Sequence, residues 1–323
     1  METEKLECDV NNAVFAKGIN IAGIDVGIYS DTIQLSDKTY GIPCLEQYDK
    51  PKTENYNLVV HKDSEIVDLS YDFQRNSFLF QCPYELIQSG KSLLFLALAL
   101  TERSRQLKSQ LLSHGAGLVS PDGNAVLLLG NAGAGKTTLA LNLCKRGFLL
   151  AGNDQIIIGK RHEDSDIMLL GGTEYITIRE TALRNNSLDK YNLNLSSNGG
   201  FGWNNKQVFS CEELGIKTSR EPALIKKTYL IYLDAAGNEN TGINRIDANN
   251  VGTNLFLGEK FSRHISGVAT HLLSDAGYLL THTPSLDDHI TRKNRLNIIN
   301  ELYKIGIYEL YGNNVDEMLD LID

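Results

Sequence analysis

The stretch from Val126 to Thr138 constrains this chain more than any other. Val126-Leu127-Leu128-Leu129 is a short, wholly apolar run, the pattern of a strand covered on both faces of a parallel sheet. Gly130 to Thr137 then fit G-x-x-x-x-G-K-[ST] without a mismatch. Leu139 to Arg146 read as a helix, and Gly147 is placed to end it as a C-cap. Strand, glycine loop and helix in this order predict an α/β domain.

The residue types follow from what such a loop must do. A polyphosphate is held by backbone N–H groups, and side chains block their approach. Gly130, Gly133 and Gly135 therefore leave the backbone free to wrap, while Asn131, Ala132 and Ala134 complete the loop. A helix beginning near Lys136 adds its positive end. Lys136 can reach β- and γ-phosphates, the Thr137 hydroxyl can ligate Mg²⁺, and Thr138 closes the set. The expected ligand is a nucleotide triphosphate with Mg²⁺.

Other residues gather around this segment. Leu111 to Val119, with a turn at Ser120-Pro121-Asp122-Gly123-Asn124, predict a hairpin feeding the loop strand. His114 would lie on the neighbouring strand, as a structural residue or a site residue. Phe148 to Ile158 read as a strand broken by Asn153-Asp154. An acid at a strand end beside such a loop can hold Mg²⁺, so Asp154 is a metal candidate with a turn residue as its alternative. Arg179 and Glu180 serve phosphate and metal or form a surface ion pair. Arg263, at the start of a helix-like segment from Glu259, reaches phosphate or is solvated. His282 to His289 have the composition of a metal site but read better as a loop with a helix N-cap. Asn185 to Asn205, rich in Asn, Ser and Gly, predict a loop with the character of a lid or an insertion.

His114-Gly115, the hairpin, Gly130 to Thr137, Lys145-Arg146-Gly147 and Asn153-Asp154 together resemble the catalytic domain of HPr kinase/phosphorylase. The resemblance covers roughly residues 105–180. It implies a P-loop kinase core similar to phosphoenolpyruvate carboxykinase, preceded by a small β-rich N-terminal lobe. It also implies ATP-dependent phosphorylation of a hydroxyl. Lys136 and Thr137 match the family's phosphate- and Mg²⁺-binding residues, His114 its histidine, and Asn153 and Asp154 its paired aspartates. The family's metal-binding glutamate has no clear match here; Thr177 is nearest in register, with Glu174 and Glu180 close by. Asn153 is a departure, because an amide cannot take a proton as a carboxylate does.

Length bounds the architecture. At 323 residues the chain is long enough for two domains, expected as a β-rich lobe over 1–104 ending in the Leu/Ala-rich helix of residues 92–103, and a kinase domain over 105–323. Ile307 to Gly312 read as an edge strand, and Val315 to Ile322 as a closing helix. A net charge of −9 argues against non-specific nucleic-acid or membrane-surface partners. The five scattered cysteines form no C-x-x-C pair, and the charged residues 1–7 have no apolar run behind them, which predicts a cytoplasmic protein.

The expected activity is a kinase that moves the γ-phosphoryl group of ATP to a small metabolite or a peptide serine. His114, Lys136, Asp154, Arg179 and Arg263 form its catalytic set, and Thr137 and Asp154 its metal set. A homo-oligomer is compatible with this reading. The alternatives are a nucleotide-gated binding module and a plain ATPase.

Overall fold

The computed structural model describes residues 14–30, 45–50, 56–62, 65–162, 165–179, 206–233, 240–267 and 271–322. The expected 185–205 loop and Glu180 lie outside them, and nothing is stated of the Arg179 side chain. The chain is mixed α/β with several sheets, and its contacts divide it into two compact units. Unit 1 joins residues 1–108 to Glu259–Arg295, and unit 2 joins Ser109–Gly258 to Leu296–Asp323. Sequence placed the division at 104/105 and ran the second domain unbroken to 323; here 259–295 goes with the N-terminal part.

Unit 1 is built on a six-stranded sheet of β1 (Phe15–Ile21), β2 (Ile24–Tyr29), β3 (Leu45–Tyr48), β4 (Tyr56–Lys62), β5 (Asp68–Asp72) and β6 (Ser77–Cys82). Its strand order is β3-β1-β2-β4-β6-β5, with β2, β4 and β6 parallel. Ala22 and Gly23, both at positive φ, form the two-residue turn between β1 and β2, as the twist of a tight hairpin requires. Helix α1 (Lys91–Leu107) packs on this sheet and is buried on nearly every side, matching its Leu/Ala-rich sequence.

The last turns of α1 carry polar side chains into that interior; Arg105 donates to the Ile21 carbonyl at 2.6 Å, while Gln106 and Arg103 find partners in residues 259–295. Gln106 Nε2 donates to the Glu102 carboxylate at 2.7 Å and to the Phe261 carbonyl at 2.6 Å. Arg295 donates to Gln106 Oε1 and pairs with Asp287, each at 2.7 Å. Arg103 donates to the Leu286 carbonyl, meets Asp288 at 2.9 Å and lies over the Phe73 ring. Burial raises the Asp288 carboxyl, but the Thr291 amide, the Arg103 guanidinium and the Ile290 amide outweigh it and hold it below the usual carboxylate range. Asp288 Oδ1 also accepts from the amides of Ile290 and Thr291, so it caps α4 (His289–Ile305). The loop-and-cap reading of residues 282–289 holds. Among the described residues no group of three or more His, Cys, Asp or Glu converges.

Helix α3 (Val251–Ser262) ends where sequence had a helix beginning, so Arg263 stands just past its C-terminus and is exposed. The imidazole of His264 is pushed down to about 4, first by burial and then by the Arg263 charge. An unfolded histidine titrates near about 6.5, so between these values the unfolded chain binds more protons. Stability from His264 is therefore complete above the higher value and lost as pH falls towards the lower one. The half-buried ring sets the loss at roughly 2 kcal/mol. In His264→Gln the melting temperature should depend less on pH across this window, and an unchanged slope would assign acid loss to other groups.

Unit 2 holds a nine-stranded sheet. It contains β7 (Gln110–Ser113), β8 (Gly115–Val119), β9 (Ala125–Leu129), β10 (Leu149–Asn153), β11 (Ile156–Gly159), β12 (Met168–Gly172), β15 (Ala223–Leu233), β16 (Gly242–Arg245) and β19 (Ile307–Gly312). Its centre is parallel, with β15 between β9 and β19. β19 is thus an inner strand, flanked on its other side by antiparallel β16, and not the edge strand its sequence suggested. Beside this sheet β13 (Tyr175–Arg179) pairs with β14 (Lys206–Ser210). Helix α2 (Lys136–Lys145) and helix α5 (Val315–Ile322) share one core, in which Leu139 and Leu143 join Leu128, Tyr229, Leu310, Met318 and Ile322. No described helix is long and apolar enough to cross a membrane.

Candidate functional site

The glycine loop leaves the end of β9 and turns into α2. Gly130, Gly133 and Gly135 all adopt positive φ, at 153°, 84° and 92°. At Gly135 the requirement is also steric, because an added Cβ would stand 2.6 Å from the Leu233 Cβ. The Leu233 amide donates to the Ala134 carbonyl, so the end of β15 supports the loop from behind. Asn131, Ala132 and Gly133 are exposed. Gly147, at φ 96°, ends α2, and the Phe148 amide donates back to the Leu143 carbonyl, which is the bond of a Schellman cap.

Lys136 is 7% exposed and does not point into solvent. Its Nζ donates to the Gly130 carbonyl at 3.0 Å and to the Asn131 carbonyl at 2.8 Å. The charge is thus held over the mouth of the loop by backbone oxygens. One residue on, Thr137 Oγ1 donates to Asn153 Oδ1 at 3.4 Å, a long bond.

Asn153 ends β10 and is 2% exposed. Asp154 follows at φ 65°, a left-handed conformation that Asp tolerates better than most residues. Its carbonyl accepts from the Gly115 amide, and its carboxylate lies 3.9 Å from His114 Nε2. His114 occupies the junction between β7 and β8, where the two strands part to different neighbours, and not the interior of a strand. The turn is clamped further by the Asn153 amide to the Thr173 carbonyl and the Thr173 amide to the Gln155 carbonyl. Gly152 and Gly172 permit this packing, since a Cβ on Gly152 would meet the Gly172 Cα at 2.6 Å. The Gly171-Gly172 pair was the sequence signal for this second support, and Leu233 had none.

Lys136, Thr137, Asn153, Asp154 and His114 therefore form one neighbourhood in unit 2. Arg179 lies on β13 and Arg263 in unit 1. Glu174 is engaged by Arg220 at 2.9 and 3.1 Å, and Thr177 pairs with Val208 in the β13–β14 ladder. Around the Asn153 turn, Asn153 Nδ2, Thr173 Oγ1, Gln155 Oε1 and Ser113 Oγ are buried polar atoms without a hydrogen-bond partner among the described residues. The donors beside the loop, a hydroxyl, an amide and one carboxylate, are hard oxygens. Such a set fits Mg²⁺, which takes few protein ligands together with phosphate and water. Burial pushes the Cys144 thiol up to about 12 and the Cys211 thiol up to about 11, so neither is a poised nucleophile.

No protein-family model matches the chain, and no curated protein matches it. Among solved structures, the Hpr(Ser) kinase/phosphatase from Coxiella burnetii is similar over 45% of this chain and 85% of that chain, at 15% identity and a TM-score of 0.26.

Proposed function

We propose that unit 2 carries an ATP-dependent phosphotransferase site of the HPr kinase type, moving the γ-phosphoryl group to a hydroxyl of a small metabolite or a peptide serine. The observation that carries this reading is the loop itself. A complete G-x-x-x-x-G-K-[ST] segment runs from an inner strand into a helix, with Lys136 drawn over its carbonyls and Thr137 turned towards the Asn153-Asp154 corner. Phosphoryl transfer is mostly positioning and charge stabilisation, which is what such a frame supplies.

In this reading the loop amides and the N-terminus of α2 take the phosphate oxygens. Lys136 exchanges its two carbonyl partners for the β- and γ-phosphates. Thr137 and Asp154 hold Mg²⁺, with the Asn153 amide behind them. A Mg²⁺ held by these residues would supply neutralisation of the charge that develops on the transferring phosphoryl group. The acceptor oxygen bonds to phosphorus as the bond to the β-phosphate bridge breaks, and ADP leaves. Asn153 offers no carboxylate for the acceptor's proton, so the site works by alignment more than by proton removal. His114 lines the corner beside Asp154.

One observation favours a second reading. A buried amide stands where the resemblance places a carboxylate, which suits a module that binds ATP and signals it to a partner. The test uses ATP labelled at the γ-phosphate, Mg²⁺ and a host extract split into protein and small-molecule fractions. Label in either fraction, falling at least about 100-fold in Lys136→Ala, is the expected result. Equal transfer by Lys136→Ala would sink the kinase reading. ATP binding without turnover would favour the module, and free phosphate alone a plain ATPase.

A further inference from the structure

In unit 1, β17 (His271–Leu273) and β18 (Leu279–His282) form a two-stranded antiparallel hairpin. His271 and His282 are direct partners across it, both exposed. Their ring centroids lie 5.3 Å apart, with the ring planes at 70°. We propose that this pair is a binding site for a late first-row divalent transition metal ion, of the class of Cu²⁺, Ni²⁺ and Zn²⁺.

The argument is geometric first. Imidazole nitrogen binds these ions at about 2.0–2.1 Å, which puts a ring centroid about 3.2 Å from the metal. Two such rings at a tetrahedral angle stand about 5.2 Å apart. The observed separation is already that, so the rings need only turn about their side-chain torsions to present both nitrogens. Cross-strand partners on one sheet face have their Cβ atoms close enough for this chelation.

The scaffold is also held in place. Leu272, next to His271 and paired with Thr281, is buried on the opposite face at 1% exposure. The Ser274 amide donates to the Tyr278 carbonyl at 2.8 Å, and the Tyr278 amide to Ser274 Oγ at 3.0 Å, closing the turn. Ser92 Oγ donates to the Leu273 carbonyl, and the Ser89 amide to Asp275 at 2.7 Å, fixing the hairpin to the start of α1. The exposed Leu273 and Leu279 pair with each other beyond Leu272 and Thr281. No third His, Cys, Asp or Glu converges among the described residues. The site is thus two nitrogens with water completing the shell, and imidazole ligation selects the late transition metals over Mg²⁺.

The test is metal binding by the full chain, with no activity readout. Titration with Ni²⁺ or Zn²⁺ should give one site that raises the melting temperature, and Mg²⁺ should not reproduce the rise. Cu²⁺ at one equivalent should show an electron paramagnetic resonance signal with two imidazole nitrogens. His271→Gln and His282→Gln should each weaken binding at least about 10-fold, and the double variant should abolish the thermal shift. His289→Gln should leave binding unchanged. Unaltered binding in both single variants would overturn the proposal. So would a one-nitrogen signal in the unmodified protein, which needs no variant to fold.

Discussion

Arg295→Ala is expected to cost about 3–5 kcal/mol of stability, because it removes one partner of a buried ion pair and leaves the other in place. The Arg295 and Asp287 side chains are only 7% and 11% exposed, and they meet at 2.7 Å. The same guanidinium satisfies Gln106 Oε1, so a neutral acceptor is orphaned as well. Arg292, already 3.9 Å from Asp287 but largely exposed, can recover part of the loss and argues for the lower end of the range. Thermal unfolding followed by circular dichroism should show a fall of roughly 10 °C. Removing both charges, in Arg295→Met with Asp287→Leu, should be milder than removing the arginine alone. A loss under about 1 kcal/mol for the single variant would mean the pair is not buried as described.

The second large effect is expected at Gly135. Its φ of 92° disfavours any L side chain, and the added Cβ has no room beside Leu233. The backbone term costs about 1–2 kcal/mol and the overlap about 1–3 kcal/mol, so Gly135→Ala should lose roughly 2–4 kcal/mol or displace the loop. If the loop binds ATP as proposed, either outcome should abolish that binding measured by calorimetry. Pairing Gly135→Ala with Leu233→Ala should return part of the stability but not the binding. Full binding by Gly135→Ala would show that the loop needs no positive φ at that position.

These two sites differ in how much of them sequence displays. The loop is local: apolar strand, glycines, lysine and helix lie within one stretch, and the structure ends the strand at Leu129, starts the helix at Lys136 and closes it with a Schellman cap, as their order suggests. The Asn153-Asp154 corner was also legible, because two polar residues interrupt an apolar run. What escaped were relations between distant residues. Nothing near Ile307 reveals that β16 will cover its open side. Gly152 sits inside the strand reading of Phe148 to Ile158, and nothing there shows its mutual contact with Gly172. Residues 259–295 read as a continuation of the second domain because their partners, Arg103 and Gln106, lie far back in the chain. Residues 282–289 read as a loop with a helix N-cap, but nothing local shows that Asp287 will be held by Arg295.

The discontinuity of unit 1 has a consequence for the order in which the chain can be completed during synthesis. Residues 1–108 contain the whole first sheet and its helix, yet Arg103 and Gln106 take several of their buried partners from residues 259–295. At about 5–20 residues per second, a ribosome needs roughly 10–40 s to pass from the end of α1 to Arg295. Through that interval the N-terminal unit lacks the Phe261, Leu286, Asp288 and Arg295 partners of these two side chains. It stays an open intermediate while most of unit 2 is being made. Expression of residues 1–108 by themselves should accordingly yield an aggregating fragment, and a soluble one should need Glu259–Arg295 supplied in the same chain.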